Sequence, residues 1–256
     1  MPADPHRDPL SPRSVPGHDV LRWVDRMARS NHPHVERMEL IWRDWFATRT
    51  PDEIHPTQFV ERLWGCFVPT ALCDQTRRGL ERVYITGGRR IRPVVEAILM
   101  HPDLYEGEAM AKPPVVFIVG VLRTRALGID ETSAAWVLEL AGEGLLEPPY
   151  LSGWDESRWL EAPALRGRWT AAASTVGPDG VDPSDVGFED SRAAVDRALR
   201  YWGGPRITRA TRWELEDFAQ RVENAIGAGE DAGTYRVLRQ RALRVLVATA
   251  PDMAAC

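Results

Sequence analysis

The chain has 256 residues, of which 44% are hydrophobic and 27% charged, and its formal net charge at pH 7 is −5. This is the composition of an ordinary globular protein, long enough for one large domain or two small ones. The negative net charge argues against a nucleic-acid-binding protein. No stretch of the sequence approaches the run of about 20 apolar residues that a membrane-spanning helix needs.

The first 18 residues are polar and rich in proline, and they lack the apolar stretch of a signal peptide. We predict that residues 1–18 are disordered and that the protein is cytoplasmic. The three cysteines, Cys66, Cys73 and Cys256, give neither an even-numbered disulfide framework nor a zinc motif. We expect them to be small buried residues in a reducing compartment. No metal or cofactor is predicted.

Apolar residues recur at helical spacing along most of the chain. The first helices are predicted near residues 20–27, 35–47 and 59–67, from Thr76 or Asp74 through Tyr84, and near 91–100. The glycines Gly87 and Gly88 are expected to end the fourth of these. Further helices are predicted from Asp130 or Thr132 onward and near residues 191–202, 208–226 and 234–250.

Residues 112–127 admit two interpretations. The run from Val115 to Val119 contains mostly good strand formers, which favours a buried strand. The apolar pattern continues through Arg123 to Leu127 before Gly128, which favours a helix. We adopt the helix, so the sequence predicts an all-α fold, an irregular globule of about ten helices.

Composition divides the chain into four segments. After residues 1–18, we expect a helical core over 19–170 and a linker rich in Gly, Pro, Asp and Ser over 171–188. Residues 189–256 are predicted to be a C-terminal helical segment that packs on the core.

The helix predicted near residues 234–250 combines apolar residues with four arginines. One face is predicted to be buried, and it carries Tyr235, Leu238, Ala242, Val245, Leu246 and Thr249. The apolar stripe is widened by Val237, Leu243 and Val247. The arginines are expected at the rim, paired with the row Glu139, Glu143 and Glu147 or with the cluster Glu214, Glu216 and Asp217. Truncating Leu246 is therefore expected to destabilise the protein far more than truncating Arg239.

The sequence has few residues that are candidates for catalysis or for metal or phosphate binding. His32, His34 and His55 are interpreted as solvated histidines rather than metal ligands, because no suitably spaced carboxylate accompanies them. His101 and Asp103 follow a predicted helix, where a histidine suits the helix dipole; a general acid or base is the alternative. The segment at residues 87–90 is read as a turn between helices, since it lacks the strand and the Lys-Ser/Thr of a P-loop.

Two large rings, Trp154 and Trp159, lie close together after a Pro-Pro pair. Such rings stack planar or sugar ligands, or more often close a loop onto the core. Together with Arg123, His101 and Asp103 they form the possible ligand or packing cluster of this sequence. No catalytic residue is assigned, because no Ser-His-Asp set can be assembled here.

Several runs of residues resemble a known family. They are KPPVVFIVGVLR at residues 112–123, PPYLSGW at 148–154, LRGRW at 165–169, and the early ERM and WRDWF at 36–38 and 42–46. These runs are similar to the bacterial Domain of Unknown Function 1800 family, with PPxxxGW the most specific. The resemblance covers most of the chain from about Pro33 onward.

The chain also departs from that family's pattern. Tyr150 stands at the usual Asn, Trp45 stands at the usual His, and nothing matches the family's central Asn-Glu-Asn-Phe/Tyr-Ala-Arg-Glu motif or its later Thr-Gly-Trp. The resemblance implies a shortened member without the central region. The family has no established activity, and its members are often exported.

These observations favour a non-catalytic binding or scaffolding module with a protein partner. The alternatives are an enzyme of hydrolase-like type with an unknown substrate and a remnant without activity. The sequence does not indicate an oligomeric state.

Overall fold

The computed structural model describes residues 18–33, 35–36, 38–39, 54–129, 137, 159–177, 180–183, 187–225 and 232–255. These residues form eleven helices and no strand, and their one extended pairing is an isolated antiparallel bridge between Ala111 and Ala255. The predicted all-α fold of about ten helices is confirmed. The helices are α1 (His18–Arg29), α2 (Pro56–Gly65), α3 (Asp74–Thr86), α4 (Ile91–Leu99), α5 (Asp103–Glu106), α6 (Pro114–Thr124), α7 (Ala162–Val176), α8 (Ser191–Tyr201), α9 (Arg209–Ala225), α10 (Ala232–Thr249) and α11 (Pro251–Ala254).

The chain packs as two units, and both are assembled from separate segments of sequence. The larger unit comprises Met1–Pro33, Ala111–Leu145 and Asp155–Cys256, and the smaller comprises His34–Met110 and Leu146–Trp154. This division reflects packing; the segment boundaries expected from composition stay a prediction.

The smaller unit contains α2 to α5. Helices α2, α3 and α4 each pack against the other two. Proline at the start of α2 suits a first helical turn, where its missing N–H has no partner to lose. The rings of Phe59 and Tyr84 stack at 4.3 Å in the centre of this core. Its other buried residues are Ile54, Val60, Leu63, Trp64, Val68, Leu80, Val94, Val95 and Ile98.

Helix α3 ends where the glycine pair predicted a stop. Gly88 has φ +69°, a left-handed conformation that glycine adopts without steric cost. The N–H of Arg89 then bonds to the carbonyl of Tyr84 at 2.8 Å and closes the last turn.

In the larger unit, α6 packs against α1 and α7. Residues 114–124 are helical, so the helix interpretation is correct and the strand interpretation is wrong. The helix ends at Thr124, before the expected Gly128, because Ala126 adopts φ +52° and the Leu127 N–H bonds back to the Leu122 carbonyl at 2.8 Å. This is the hydrogen-bond pattern of a left-handed helix cap, here formed without glycine.

Helix α10 contacts more helices than any other described element of the larger unit, since it packs against α7, α8, α9 and α11. The prediction of its buried face is correct for Val245 but wrong near the start of the helix. Tyr235 and Leu238 are 52% and 48% exposed, whereas Arg239 and Gln240 are buried. The physical reason is that carboxylates from other parts of the unit, Glu223 among them, meet the arginine inside the fold.

Helix α7 also extends beyond its expected end. The composition predicted a linker from residue 171, but the helix continues to Val176, and Ala171, Ala172 and Val176 are buried. The residues at 171–173 are three alanines, the best helix formers, which favours continuation of the helix.

Other predicted features lie mostly outside the described residues. These are the helices near 35–47 and after Asp130, the acidic row Glu139, Glu143 and Glu147, and the cysteine Cys256. Within the described ranges, no helix combines the length and the apolar character needed to cross a membrane.

Candidate functional site

Arg123, one of the residues singled out from the sequence, binds the C-terminal end of α1. Its Nη1 donates to the carbonyl oxygens of Met27, Ala28 and Ser30 at 3.3, 3.2 and 2.6 Å. The last carbonyls of a helix lack partners within the helix. A cation at this end also interacts favourably with the helix dipole. The side chain is therefore engaged in a helix cap.

Trp159, the second of these residues, is buried, and its carbonyl accepts a hydrogen bond from Arg168 at 3.2 Å. Trp154 lies outside the described residues. Arg123 and Trp159 belong to the larger unit, whereas His101 and Asp103 belong to the smaller one. The proposal that all five form one cluster stays a prediction.

In the smaller unit, His101 and Asp103 lie beside Cys73, a cysteine that was expected to be buried. Cys73 is the residue immediately before α3 and its thiol is exposed. Its Sγ is 3.2 Å from the Thr76 hydroxyl oxygen, which is 3.4 Å from His101 Nε2. Thiol, hydroxyl and imidazole thus form one hydrogen-bonded row, which we call the thiol cluster.

The direction of these hydrogen bonds follows from the position of His101. Its Nδ1 accepts the backbone N–H of Asp103 at 3.2 Å, so a neutral imidazole carries its proton on Nε2. Nε2–H then donates to the Thr76 oxygen, which leaves the Thr76 hydroxyl free to donate to Cys73. This arrangement of protons suits a thiolate, which accepts hydrogen bonds and has none to donate.

The imidazole ring is held in place from the core side. It meets the ring of Trp64 edge-on, with centroids 4.9 Å apart and planes at 81°. Trp64 is itself fixed by a hydrogen bond from its Nε1 to the Thr70 carbonyl at 2.7 Å. One carboxylate oxygen of Asp103 lies 3.7 Å from His101 Nδ1, close enough to pair with a protonated imidazole.

The surroundings of Cys73 lower the pKa of its thiol below the ordinary value. The hydrogen bond from the Thr76 hydroxyl is the largest cause, and the backbone N–H of Thr76 adds to it. Partial desolvation and the negative charge of Asp103 act in the opposite direction but do not cancel the effect. A position at a helix N-terminus favours the thiolate in the same way.

The expectation that the cysteines are buried is correct for Cys66 and wrong for Cys73. The reason is local: Cys73 occupies the N-cap position of α3, a site that favours small residues with a hydrogen-bonding side chain and faces water. The helix start near Asp74 was a signal for this exposure. The proximity of His101 had no such signal, because it depends on how α3 and the segment after α4 pack.

Within the part of the chain that the structure describes, no three His, Cys, Asp or Glu side chains are arranged to hold a metal ion. The thiol cluster itself offers a nucleophilic sulfur supported by a hydroxyl and an imidazole.

Comparison with known proteins agrees with the resemblance noted in the sequence. Residues 54–255 match the model of a family described as "Protein of unknown function (DUF1800)". No curated protein and no solved structure matches the chain. Because the match covers most of the chain and includes the thiol cluster, the protein belongs to the DUF1800 family, whose function is unknown.

Proposed function

We propose that Cys73 is a reactive thiol that undergoes thiol–disulfide exchange with low-molecular-weight disulfides of the glutathione class. The observation that carries the proposal is the hydrogen-bonded row from His101 through Thr76 to an exposed Cys73. Reactive cysteines have accessible sulfurs and neighbours that favour the thiolate, and both conditions are met here.

The reaction balances with the groups at hand. The Cys73 thiolate attacks one sulfur of the disulfide, a new S–S bond forms to Cys73, and the old S–S bond breaks. The departing thiolate takes up a proton from water. Thr76 stabilises the attacking thiolate by donating its hydroxyl hydrogen, and His101 keeps that hydroxyl oriented.

Exchange of this kind requires a compartment in which the thiol is regenerated. We therefore propose a cytoplasmic location, where reducing conditions keep a thiol such as Cys73 out of disulfides. We further infer that the chain is a shortened family member, since nothing in it matches the central Asn-Glu-Asn motif.

The test compares thiol reactivity in two variants. In a Cys256→Ser background, the rate of Cys73 alkylation by iodoacetamide is measured against pH. The midpoint should lie below the ordinary cysteine value of about 8.5. Thr76→Val, which removes the hydroxyl and keeps the shape, should move the midpoint upward. Incubation with glutathione disulfide should add one glutathione to Cys73 and none to the Cys73→Ser variant.

Two results would contradict the proposal. One is a midpoint at the ordinary value that Thr76→Val leaves unchanged. The other is attachment of glutathione to Cys66 in preference to Cys73, since Cys66 is buried and serves as an internal control.

A binding role is the second candidate, and it is favoured by one face of α7. Leu165 and Trp169 lie one turn apart on this helix and are 47% and 49% exposed. Large apolar side chains exposed side by side are typical of surfaces that bind other proteins. The partner that fits is an amphipathic helix, whose apolar side would cover both residues.

A hydrophobic dye measures whether this face is available for binding. The double variant Leu165→Ser/Trp169→Ser should reduce the fluorescence of bound bis-ANS by half or more. Trp213→Ser is the matched control, because Trp213 is an exposed tryptophan on α9. Equal loss of fluorescence in both variants would show that the α7 face binds the dye no better than an isolated exposed tryptophan does.

A further inference from the structure

Arg168, on α7, is a buried cation that has no counter-ion among the described residues. The residue is only 1% exposed. Its Nη2 donates to the carbonyl oxygens of Lys112 and Trp159 at 2.6 and 3.2 Å. The guanidinium carbon lies 5.2 Å from the centroid of the Phe117 ring. The remaining nitrogens, Nε and Nη1, are buried and have no hydrogen-bond partner in the part of the chain that the structure describes.

A second buried arginine of the same unit, Arg239, does have carboxylate partners. Arg239 is equally buried, but its Nη1 lies 2.7 Å from a carboxylate oxygen of Glu223 and its Nη2 lies 3.6 Å from Glu189. No carboxylate among the described residues forms an ion pair with Arg168. The two arginines differ, therefore, in counter-charge and not in burial.

An uncompensated buried charge is costly, and the usual response of a group is to pair, to bind an ion or to lose its charge. Desolvation lowers the pKa of Arg168. A guanidinium nevertheless stays protonated at neutral pH, so loss of charge is not open to it. Two carbonyl oxygens and an aromatic face partly offset the positive charge, but they supply no negative one.

We propose that Arg168 binds a small oxyanion, a carboxylate or a phosphate, whose oxygens accept hydrogen bonds from Nε and Nη1. Both groups are oxyanions that arginine recognises through several N–H donors at once. The apolar surroundings, which include the Phe117 ring, strengthen the attraction because they exclude water. The site lies in the larger unit and does not depend on the chemistry of Cys73.

The experiment measures the melting temperature of the full chain against the concentration of sodium acetate or sodium phosphate. The ionic strength is held constant with sodium chloride. The wild type should show a saturable rise of roughly 3–5 °C at an anion concentration ten times the Kd. Arg168→Met should abolish the rise. Arg166→Met is the matched control, because Arg166 is an exposed arginine on the same helix, and it should keep the rise.

The two salts distinguish the ligand classes. A rise with acetate alone assigns a carboxylate ligand, and a rise with phosphate alone assigns a phosphate. Should Arg168→Met fail to fold, Arg168→Lys keeps the charge but not the fork of donors, and it should weaken binding at least about five-fold. Isothermal titration calorimetry with the same two salts measures that Kd directly.

Other results would overturn the proposal. A wild type whose melting temperature does not respond to either anion would show that water alone fills the donors of Arg168. An equal response in the wild type and in Arg168→Met would show that the anions act elsewhere on the protein.

Discussion

Arg239 on α10 donates from Nη1 to Oε2 of Glu223 on α9 at 2.7 Å, although Arg239 is almost completely buried. Arg236, one turn earlier, donates to the other oxygen of the same carboxylate at 2.9 Å. Glu189, which precedes α8, lies 3.6 Å from Arg239 Nη2. A network of buried charges therefore ties α10 to α9 and to the segment before α8.

Removing Glu223 should destabilise the protein strongly. Glu223→Ala leaves the Arg239 guanidinium buried with only a long contact to Glu189. We expect the free energy of unfolding to fall by about 3–5 kcal/mol, the cost of breaking a buried ion pair from one side. Urea unfolding followed by circular dichroism measures this change.

The exposed pair of Arg92 and Glu96 on α4 is the matched control for that experiment. Because both side chains are exposed to water, Glu96→Ala should leave the urea midpoint unchanged. Arg239→Ala should also lower the free energy of unfolding at least as much as Leu246→Ala does. This order reverses the expectation from the sequence. Equal, small effects of Glu223→Ala and Glu96→Ala would show that the network contributes little.

The second prediction concerns Gly128, which follows α6. A Cβ at this position would lie 1.7 Å from Nη2 of Arg29 and 3.0 Å from Oδ1 of Asp25. Arg29 and Asp25 form a buried pair at 2.7 Å, and Oδ1 of Asp25 also accepts the Ile129 N–H at 2.7 Å. We expect Gly128→Ala to cost about 1–3 kcal/mol of stability, because added volume in a filled interior forces neighbours to move.

Gly120 provides the comparison for Gly128. It lies within α6, and a Cβ there would meet no atom within 4 Å. Gly120→Ala should stabilise the protein by up to about 1 kcal/mol, since alanine favours the helix. Thermal unfolding of both variants should therefore show shifts of opposite sign, and shifts of the same sign would refute the packing argument.

The third prediction concerns the role of Arg123. If this side chain is a helix cap, Arg123→Met should destabilise the protein by about 1.5–3 kcal/mol, the range for hydrogen bonds to a charged group. The loss should be visible as faster hydrogen exchange at the end of α1, where its three carbonyl partners lie. Unchanged hydrogen exchange there would contradict the helix-cap role of Arg123 and favour a role in ligand binding.

The fourth prediction is a pH dependence at Asp252, on α11. Burial raises the pKa of this carboxyl group, but hydrogen bonds from the Thr211 hydroxyl and the Thr208 N–H outweigh burial, so the pKa falls below its ordinary value. These bonds hold the first turn of α9, and the Thr208 N–H lies 2.6 Å from Oδ1.

A carboxylate with a lowered pKa in the folded state stabilises the protein above the ordinary aspartate value of about 3.9. Its contribution is lost as the pH falls through the lower, folded-state pKa. Asp252→Asn should therefore cost about 1 kcal/mol at pH 7, as for loss of a helix cap, and less at pH 3. Urea titrations at the two pH values test this, and a cost that does not change with pH would contradict it.

Local sequence was sufficient to determine most helices and several of their ends. The pair Gly87 and Gly88 ends α3 as predicted, because a left-handed residue is easily supplied by glycine. The apolar run of α6 admitted a strand as well, and its continuation to Leu127 favoured the helix that the structure shows. These signals act between residues a few positions apart, so the sequence contains them directly.

The candidate site was predictable only in part. His101 and Asp103 were identified from their place after a helix, whereas Cys73 was missed. The contact of Thr76 with His101 joins residues 25 positions apart, and it exists because α3 and α4 pack side by side.

Only the tertiary structure decided which arginine of α10 is buried. Its sequence offers Arg236, Arg239, Arg241 and Arg244 as near equivalents, and periodicity assigned all of them to the surface. Arg239 is buried because a carboxylate on α9 and one before α8 meet it there. A buried charge is stable only with such partners, and their positions depend on how distant helices pack against each other.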